Sequence, residues 1–200
     1  FLILGFLTGL SLILALGAQN IFVIEQGLKK QFIFIVCLIC ALSDFLLIFL
    51  GIFLFQYFEN FFSQSIELIL NILLLLFLIH FILKKVKLVN KKISIYHNQN
   101  KENLVNIIFK TLGFTYLNPH VYSDTVFFLG NFSKSFLLGQ KYLFGIGASL
   151  SSILFFFSLG YFSKYLSSYV GSEKLWKIIN YSIILFMSLL SIYVFLNIIK

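Results

Sequence analysis

One stretch, Tyr116-Leu117-Asn118-Pro119-His120-Val121-Tyr122-Ser123-Asp124, concentrates residue types able to do chemistry inside an otherwise apolar run. It holds the chain's only proline, one of its three histidines and one of its seven acidic residues. Bilayer hydrocarbon offers no water to freed backbone groups, so a helix break and a carboxylate at that depth must face protein or a wet cavity. Asn118 is a good N-cap and Pro119 suits the first helical position, so the pair can end one half-helix and begin another. The new N-terminus would present free N–H groups and a positive dipole end, which suits a carboxylate ligand. Asp124, about a turn and a half further on, could then meet a cation; the plainer alternative is a proline-kinked helix with Asp124 near the headgroups. His120 is a candidate proton carrier, with a reference pKa of about 6.5, or a fixed hydrogen-bond partner.

A second carboxylate, Asp44, lies mid-way along another apolar run, where it costs about 2.5–3.5 kcal/mol if left facing lipid. Cys37, Ala41, Asp44, Ile48 and Gly51 share one helical face, so this carboxylate sits on a stripe of mostly small residues suited to close packing. It either serves function or bonds a Ser or Asn of a neighbouring helix. Gly17-Ala18-Gln19-Asn20 ends a face of Thr8, Ser11, Ala15 and Gln19 that is too polar for lipid and is expected to line the bundle. Its amides could bond a substrate or a neighbouring helix. Gly145, Ala148, Ser149 and Ser152 have small-xxx-small spacing and read as helix packing without chemistry. Cys37-Leu38-Ile39-Cys40 spells C-x-x-C, but no soluble redox fold surrounds it, and chance explains the spacing. His80 and His97 have no partner at metal-ligand spacing, so no metal site and no cofactor is expected.

These residues need helices to position them. The chain has 200 residues, 60% of them hydrophobic and 11% charged, with a mean hydropathy of +1.00. A soluble domain carries about 25% charged residues, so the composition is that of an all-α integral membrane protein. Spanning takes about 20 apolar residues, and the runs near that length are roughly 2–24, 33–55, 66–83, 105–131, 142–163 and 178–199. The third is the least regular, because Glu67 and His80 bracket a short apolar core. Residues 1–24 lack a basic leader region and are expected to stay as a helix; the missing initiator Met suggests a trimmed N-terminus.

All of the net charge of +8 comes from lysine, which in membrane loops marks the cytoplasmic side and not nucleic-acid binding. The segment 84–110 carries Lys84, Lys85, Lys87, Lys91, Lys92, Lys101 and Lys110. With six spans it shares a side with Lys29, Lys30, Lys164, Lys174 and Lys177, leaving Lys134, Lys141 and Lys200 outside with both termini. The expected layout is therefore a three-helix repeat over 1–83, a cytoplasmic lysine-rich linker over 84–104, and an inverted three-helix repeat over 105–200. Weak internal similarity runs in that order. Leu16-Gly17-Ala18-Gln19 lines up with Leu117-Asn118-Pro119-His120, and Ser43-Asp44 followed by Gly51 lines up with Ser151-Ser152 followed by Gly160. Inverted repeats with interrupted helices at matching places point to a secondary transporter with a midplane site.

Three motifs then carry a resemblance across nearly the whole chain. Gly17-Ala18-Gln19-Asn20-Ile21-Phe22-Val23 with Gln26-Gly27, Cys40-Ala41-Leu42-Ser43-Asp44, and Leu117-Asn118-Pro119-His120-Val121-Tyr122 with Asp124 are similar, in order and spacing, to the LysE-type translocators, arginine exporter branch. The resemblance implies a bacterial inner-membrane exporter of arginine or lysine in which Asp44 and Asp124 serve transport. It departs at Ala18, where the family usually has proline, so a less sharply broken first helix is expected.

The expected mechanism is alternating access around Asp44, Asp124, Gln19, Asn20, Asn118, Pro119 and His120. The carboxylates would bind the cationic end of the substrate, the Pro119 helix end its carboxylate, and protons would be exchanged in antiport. The alternatives are export of a neutral amino acid or a metal cation, an intramembrane aspartyl protease, and a thiol-redox carrier.

Overall fold

The computed structural model describes residues 1–14, 17–61, 64–90, 102–169 and 173–199. Of the expected linker, residues 91–101 with their lysines and His97 lie outside the described residues, as do Ala15 and Lys200. Every described element is helical: α1 (Leu2–Ile13), α2 (Ala18–Lys29), α3 (Ile33–Phe61), α4 (Gln64–Asn90), α5 (Leu104–Tyr116), α6 (Pro119–Tyr122), a π-helical segment (Ser123–Phe128), α7 (Leu129–Ser133), α8 (Leu138–Ser167) and α9 (Glu173–Ile199). Stretches Ile33–Phe55, Leu138–Ser167 and Lys177–Leu196 are each long and apolar enough to cross a bilayer, and the bent pair α1–α2 makes a fourth candidate. This is an all-α, multi-pass membrane protein.

The two central helices, α3 and α8, pack on each other. α1 and α2 lie against α8, while α5, the π-helical segment and α7 lie against α3; α4 pairs with α9. The small-residue stripe of α3 faces inward as its spacing predicts: Cys37, Ala41, Asp44 and Ile48 are buried, whereas Leu38, Leu42, Phe45 and Leu46 are exposed and present an apolar surface to lipid.

Glycines set how closely these helices meet. A Cβ at Gly51 would stand 2.6 Å from the Val126 backbone, and one at Gly130 would stand 2.7 Å from the Gly51 carbonyl oxygen. On the other central helix, a Cβ at Gly27 would stand 2.5 Å from the Gly160 carbonyl oxygen. Van der Waals contact between backbones, which drives helix association where lipid removes the hydrophobic term, requires glycine here.

The buried face of α1 is Gly5 and Gly9, not the expected Thr8–Ser11 stripe. Ser11 is exposed and its hydroxyl donates to the Thr8 carbonyl, while Thr8 donates to Leu4, so both satisfy themselves on their own helix. The phase extrapolated from Gln19 fails because the chain breaks in between. That break is sharp: the axes of α1 and α2 meet at 83° despite Ala18 in place of proline. Gly17 takes an extended backbone (φ −107, ψ 179) just before α2.

Phe114 of α5 is fully buried and holds three rings together, with centroids 5.0 Å to Phe22, 4.8 Å to Phe77 and 5.1 Å to Phe81. Such pairs add about 0.5–1.5 kcal/mol each beyond the area they bury. They tie α2, α4 and α5 together. At one end of the bundle Lys29 pairs with Glu25 at 2.5 Å and with Glu102 at 3.7 Å, and Glu102 also pairs with Lys110. Burial works against the Glu102 charge, but Lys110 and Lys29 outweigh it and hold its carboxyl below the ordinary range.

Candidate functional site

The site grows out of the two breaks. Leu117 and Asn118 interrupt the helical run, and Asn118 Oδ1 accepts the His120 N–H at 3.1 Å, the N-cap that its sequence context predicts. Pro119 has no N–H to satisfy. The Tyr116 carbonyl on the other side of the break accepts the Tyr122 hydroxyl at 2.9 Å, and Thr125 donates to the Val121 carbonyl at 2.5 Å. Beyond Tyr122 the helix widens into π geometry over Ser123–Phe128, which carries Asp124. Single π turns of this kind frequently accompany functional sites.

The two breaks face each other, a Cβ at Gly17 standing 3.8 Å from Asn118 Nδ2. Between them lies a cavity of about 390 Å³. Gln19, Asn20, Asp44, Asn118, His120 and Asp124 all line it, so six of the seven residues singled out in the sequence come together. The side chain of Pro119 lies outside those the structure describes. Apolar walls come from Ile48 of α3, Leu74 and Leu78 of α4, Phe156 of α8, and Leu190 and Val194 of α9. Among the described residues no lysine lines the cavity.

Asp44 is buried, 3% exposed, and its Oδ2 accepts the hydroxyl of fully buried Ser152 at 2.7 Å. Asp124 lies near enough for its charge to act on Asp44, and His120 near enough to act on Asp124. The His120 ring stacks on Tyr193 of α9, with centroids 5.6 Å apart. Asn20 Nδ2 donates to the Ile13 carbonyl at 3.1 Å, which fastens α2 to the end of α1. Cys37 and Cys40 are free and buried, and the Cys37 thiol donates to the Phe156 carbonyl at 3.2 Å.

Residues 10–197 match the model of the LysE-type translocators. The arginine exporter protein ArgO of Salmonella enteritidis is 32% identical over 178 residues, which cover 88% of this chain and 84% of that protein. ArgO of Pectobacterium carotovorum subsp. carotovorum is 33% identical over 178 residues, covering 88% and 87%. The chain belongs to the LysE-type translocator family. It is a transporter and not an enzyme, so the aspartyl protease and thiol-redox readings of the sequence fall away. No solved structure matches the translocator chain.

Two contributions to the site escape the sequence reading of this translocator. Ser152 was read as packing only, yet it donates to Asp44; its one signal was its alignment with Asp44 in the internal similarity. Tyr193 belongs to a lipid-facing apolar run and carries no sequence signal that sets it apart from its neighbours.

Proposed function

We propose that this translocator exports a basic amino acid, arginine or lysine, across the bacterial inner membrane by alternating access around the cavity between the two breaks. The observation that carries the reading is the charge of the cavity: two carboxylates, Asp44 and Asp124, line it, and no lysine does among the described residues. Its volume of about 390 Å³ suits a small molecule, such sites running from about 300 to 1,000 Å³. Among the described residues Asp44 has one serine donor and no ion-pair partner. A buried carboxylate left so costs several kcal/mol until a cation or a proton joins it. The ArgO relatives, named as arginine exporters, favour a guanidinium or ammonium as that cation. Gln19, Asn20, His120 and the helix ends at Gly17 and Asn118-Pro119 make up the rest of the proposed site.

The reading includes six spans in two inverted three-helix repeats, 1–83 and 105–200, joined by a cytoplasmic linker over 84–104. Exchanged packing supports it: the broken helix of each half lies on the central helix of the other, and α4 pairs with α9. The Gly51–Gly130 and Gly160–Gly27 approaches repeat one device on both central helices, and Asp44 bonds Ser152, its own counterpart in the internal alignment. Lys29 reaches Glu102, and a Cβ at Gly27 would stand 3.3 Å from the Lys164 backbone nitrogen, which supports gathering the lysine-bearing loops on one side. Moving a positive charge out against an inside-negative potential costs about 2.3 kcal/mol per 100 mV. Exchange of the substrate for a proton on Asp44 or Asp124 offsets that cost, which makes proton antiport the coupling we propose.

The test is arginine and lysine efflux from loaded proteoliposomes with a set pH gradient. Asp44→Asn and Asp124→Asn, verified as inserted, are each expected to reduce efflux at least tenfold. Full activity in both would sink the carboxylate model.

A further inference from the structure

The cavity lies to one side of the two breaks. On α3 it reaches Asp44 and Ile48 but not Cys40 or Cys37, and on α2 it stops at Asn20, short of Phe22. Gly9 of α1 meets α8 at Ala148 and Ser151, whereas Gly27 of α2 meets it at Gly160 and Ser163, so the two pieces of the broken span pass opposite ends of α8. The cavity follows α1, with Gly9, Leu12 and Ile13 in its wall. Toward the α2 end the interior is filled instead: Phe22, Val36, Cys37, Cys40, Phe114 and Met187 are buried in one continuous core.

What fills that end differs in kind from the other helix contacts. α2 approaches α8, and α3 approaches the π-helical segment, through glycine backbones. The seam between α2 and α5 is held by side chains. The Phe22 and Phe114 rings meet there, 5.0 Å between centroids, backed by Phe77 and Phe81 of α4. Gly113 of α5 leaves room for the Phe77 ring, whose Cζ would stand 2.7 Å from a Cβ there. Beyond the rings Lys29 of α2 lies between Glu25 and Glu102, and Glu102, just before α5, also takes Lys110. Lys29, Glu102 and Lys110 are partly exposed. An ion pair at a wet edge separates at small cost, because water takes over both partners. A seam of rings and wet ion pairs is therefore able to part and reclose where a glycine backbone contact is not.

We infer that this seam is the inner gate of the translocator, with Phe22, Phe81 and Phe114 as its plug and the Glu25–Lys29–Glu102–Lys110 cluster as its latch. The gate is closed here, and substrate reaches Asp44 from the lysine-bearing end only when α5 parts from α2. This rests on the exporter reading above, which puts that end in the cytoplasm, and deepens it by naming what must move. An exporter loads from the end that is shut in this structure. The cavity, on the far side of the breaks, belongs to the releasing half of the cycle.

The chain carries its own reporter. Cys40 lies in the seam, its thiol within bonding reach of the Gln19 side chain of α2 and the Thr115 hydroxyl of α5. Cys37 turns to α8, where its thiol donates to the Phe156 carbonyl at 3.2 Å and a Cβ at Gly160 would stand 2.6 Å from its sulfur. Parting of α5 from α2 uncovers Cys40 and leaves Cys37 covered. The test applies a membrane-impermeant maleimide to inside-out vesicles and to spheroplasts, without arginine, and quantifies each cysteine by peptide mass. Cys40 is expected to react at least about tenfold faster in inside-out vesicles than in spheroplasts, with Cys37 slower than Cys40. Phe114→Ala removes the central ring of the plug and is expected to speed Cys40 at least about tenfold. Glu102→Gln weakens the latch and is expected to speed it about two- to fivefold, with Cys37 unchanged in both. Should Phe114→Ala not insert, Glu102→Gln decides alone. Equal or faster labelling of Cys40 in spheroplasts, equal speeding of Cys37 and Cys40, or a Cys40 rate that neither variant raises overturns the gate. The labelling needs no substrate, so the exporter reading fails separately, through absence of arginine efflux from wild type or full efflux with Asp44→Asn and Asp124→Asn.

Discussion

Replacing Ser152 with Ala isolates the one hydrogen bond that α8 gives to Asp44. The geometry is favourable, 2.7 Å from hydroxyl to Oδ2 with the serine fully buried and the aspartate 3% exposed, so neither group has water as a ready substitute. A hydrogen bond to a charged group contributes about 1.5–3 kcal/mol, which corresponds to roughly 10- to 150-fold at 1.4 kcal/mol per decade. The bond holds one oxygen of Asp44 to α8 and leaves the other for the cavity. Ser152→Ala is therefore expected to raise the arginine KM toward the lower end of that range, about tenfold, and to lower thermal stability in detergent. Asp44→Asn removes the charge that makes the bond strong, so in that background Ser152→Ala is expected to cost about 1 kcal/mol or less of stability. The four proteins form a double-mutant cycle, read by thermal unfolding, with efflux kinetics on the two that carry Asp44. An unchanged KM in Ser152→Ala, or a stability loss that is the same with and without the Asp44 charge, would show that the hydroxyl only packs.

Gly51→Ala places a Cβ 2.6 Å from the Val126 backbone and 2.7 Å from the Thr125 carbonyl oxygen; α3 must part from the π-helical segment at a cost of about 1–3 kcal/mol, seen as a lower melting temperature and slower efflux. Gly139→Ala, where nothing lies within 4 Å, serves as the control, expected within about 0.5 kcal/mol of wild type. Glu102→Gln tests the ionic link between α2 and α5: because Lys110 and Lys29 hold the Glu102 carboxyl below its ordinary value, the link is complete above about pH 4.3 and fades as pH falls through the lowered value. The melting temperature of Glu102→Gln is expected to lie below wild type at pH 7 by the equivalent of about 1 kcal/mol or less, the pair being partly exposed, and the gap should close under acid; a gap constant from pH 7 to pH 3 refutes the ionic origin.

What could be read from the sequence depended on whether a side chain or a conformation did the work. The stripe of Asp44 was legible because a carboxylate in hydrocarbon forces its neighbours at i−3 and i+4 to be buried, and Ala41 and Ile48 are. The N-cap at Asn118 was legible because Asn and Pro each have one strong preference at a helix start. The π-helical turn around Asp124 was not, since an extra residue in one turn leaves the pattern of apolar residues almost unchanged. The inward face of α1 was misread because the 83° bend resets helical phase between Ser11 and Gln19, and periodicity carries across a break no better than across a loop.

The two breaks also differ in kind. At Asn118-Pro119 the interruption is made by side chains, which satisfy the very donors they expose. At Gly17 the backbone is extended and α2 starts without a side-chain cap. An alignment that pairs Gly17 with Asn118 therefore matches two bends of opposite chemistry.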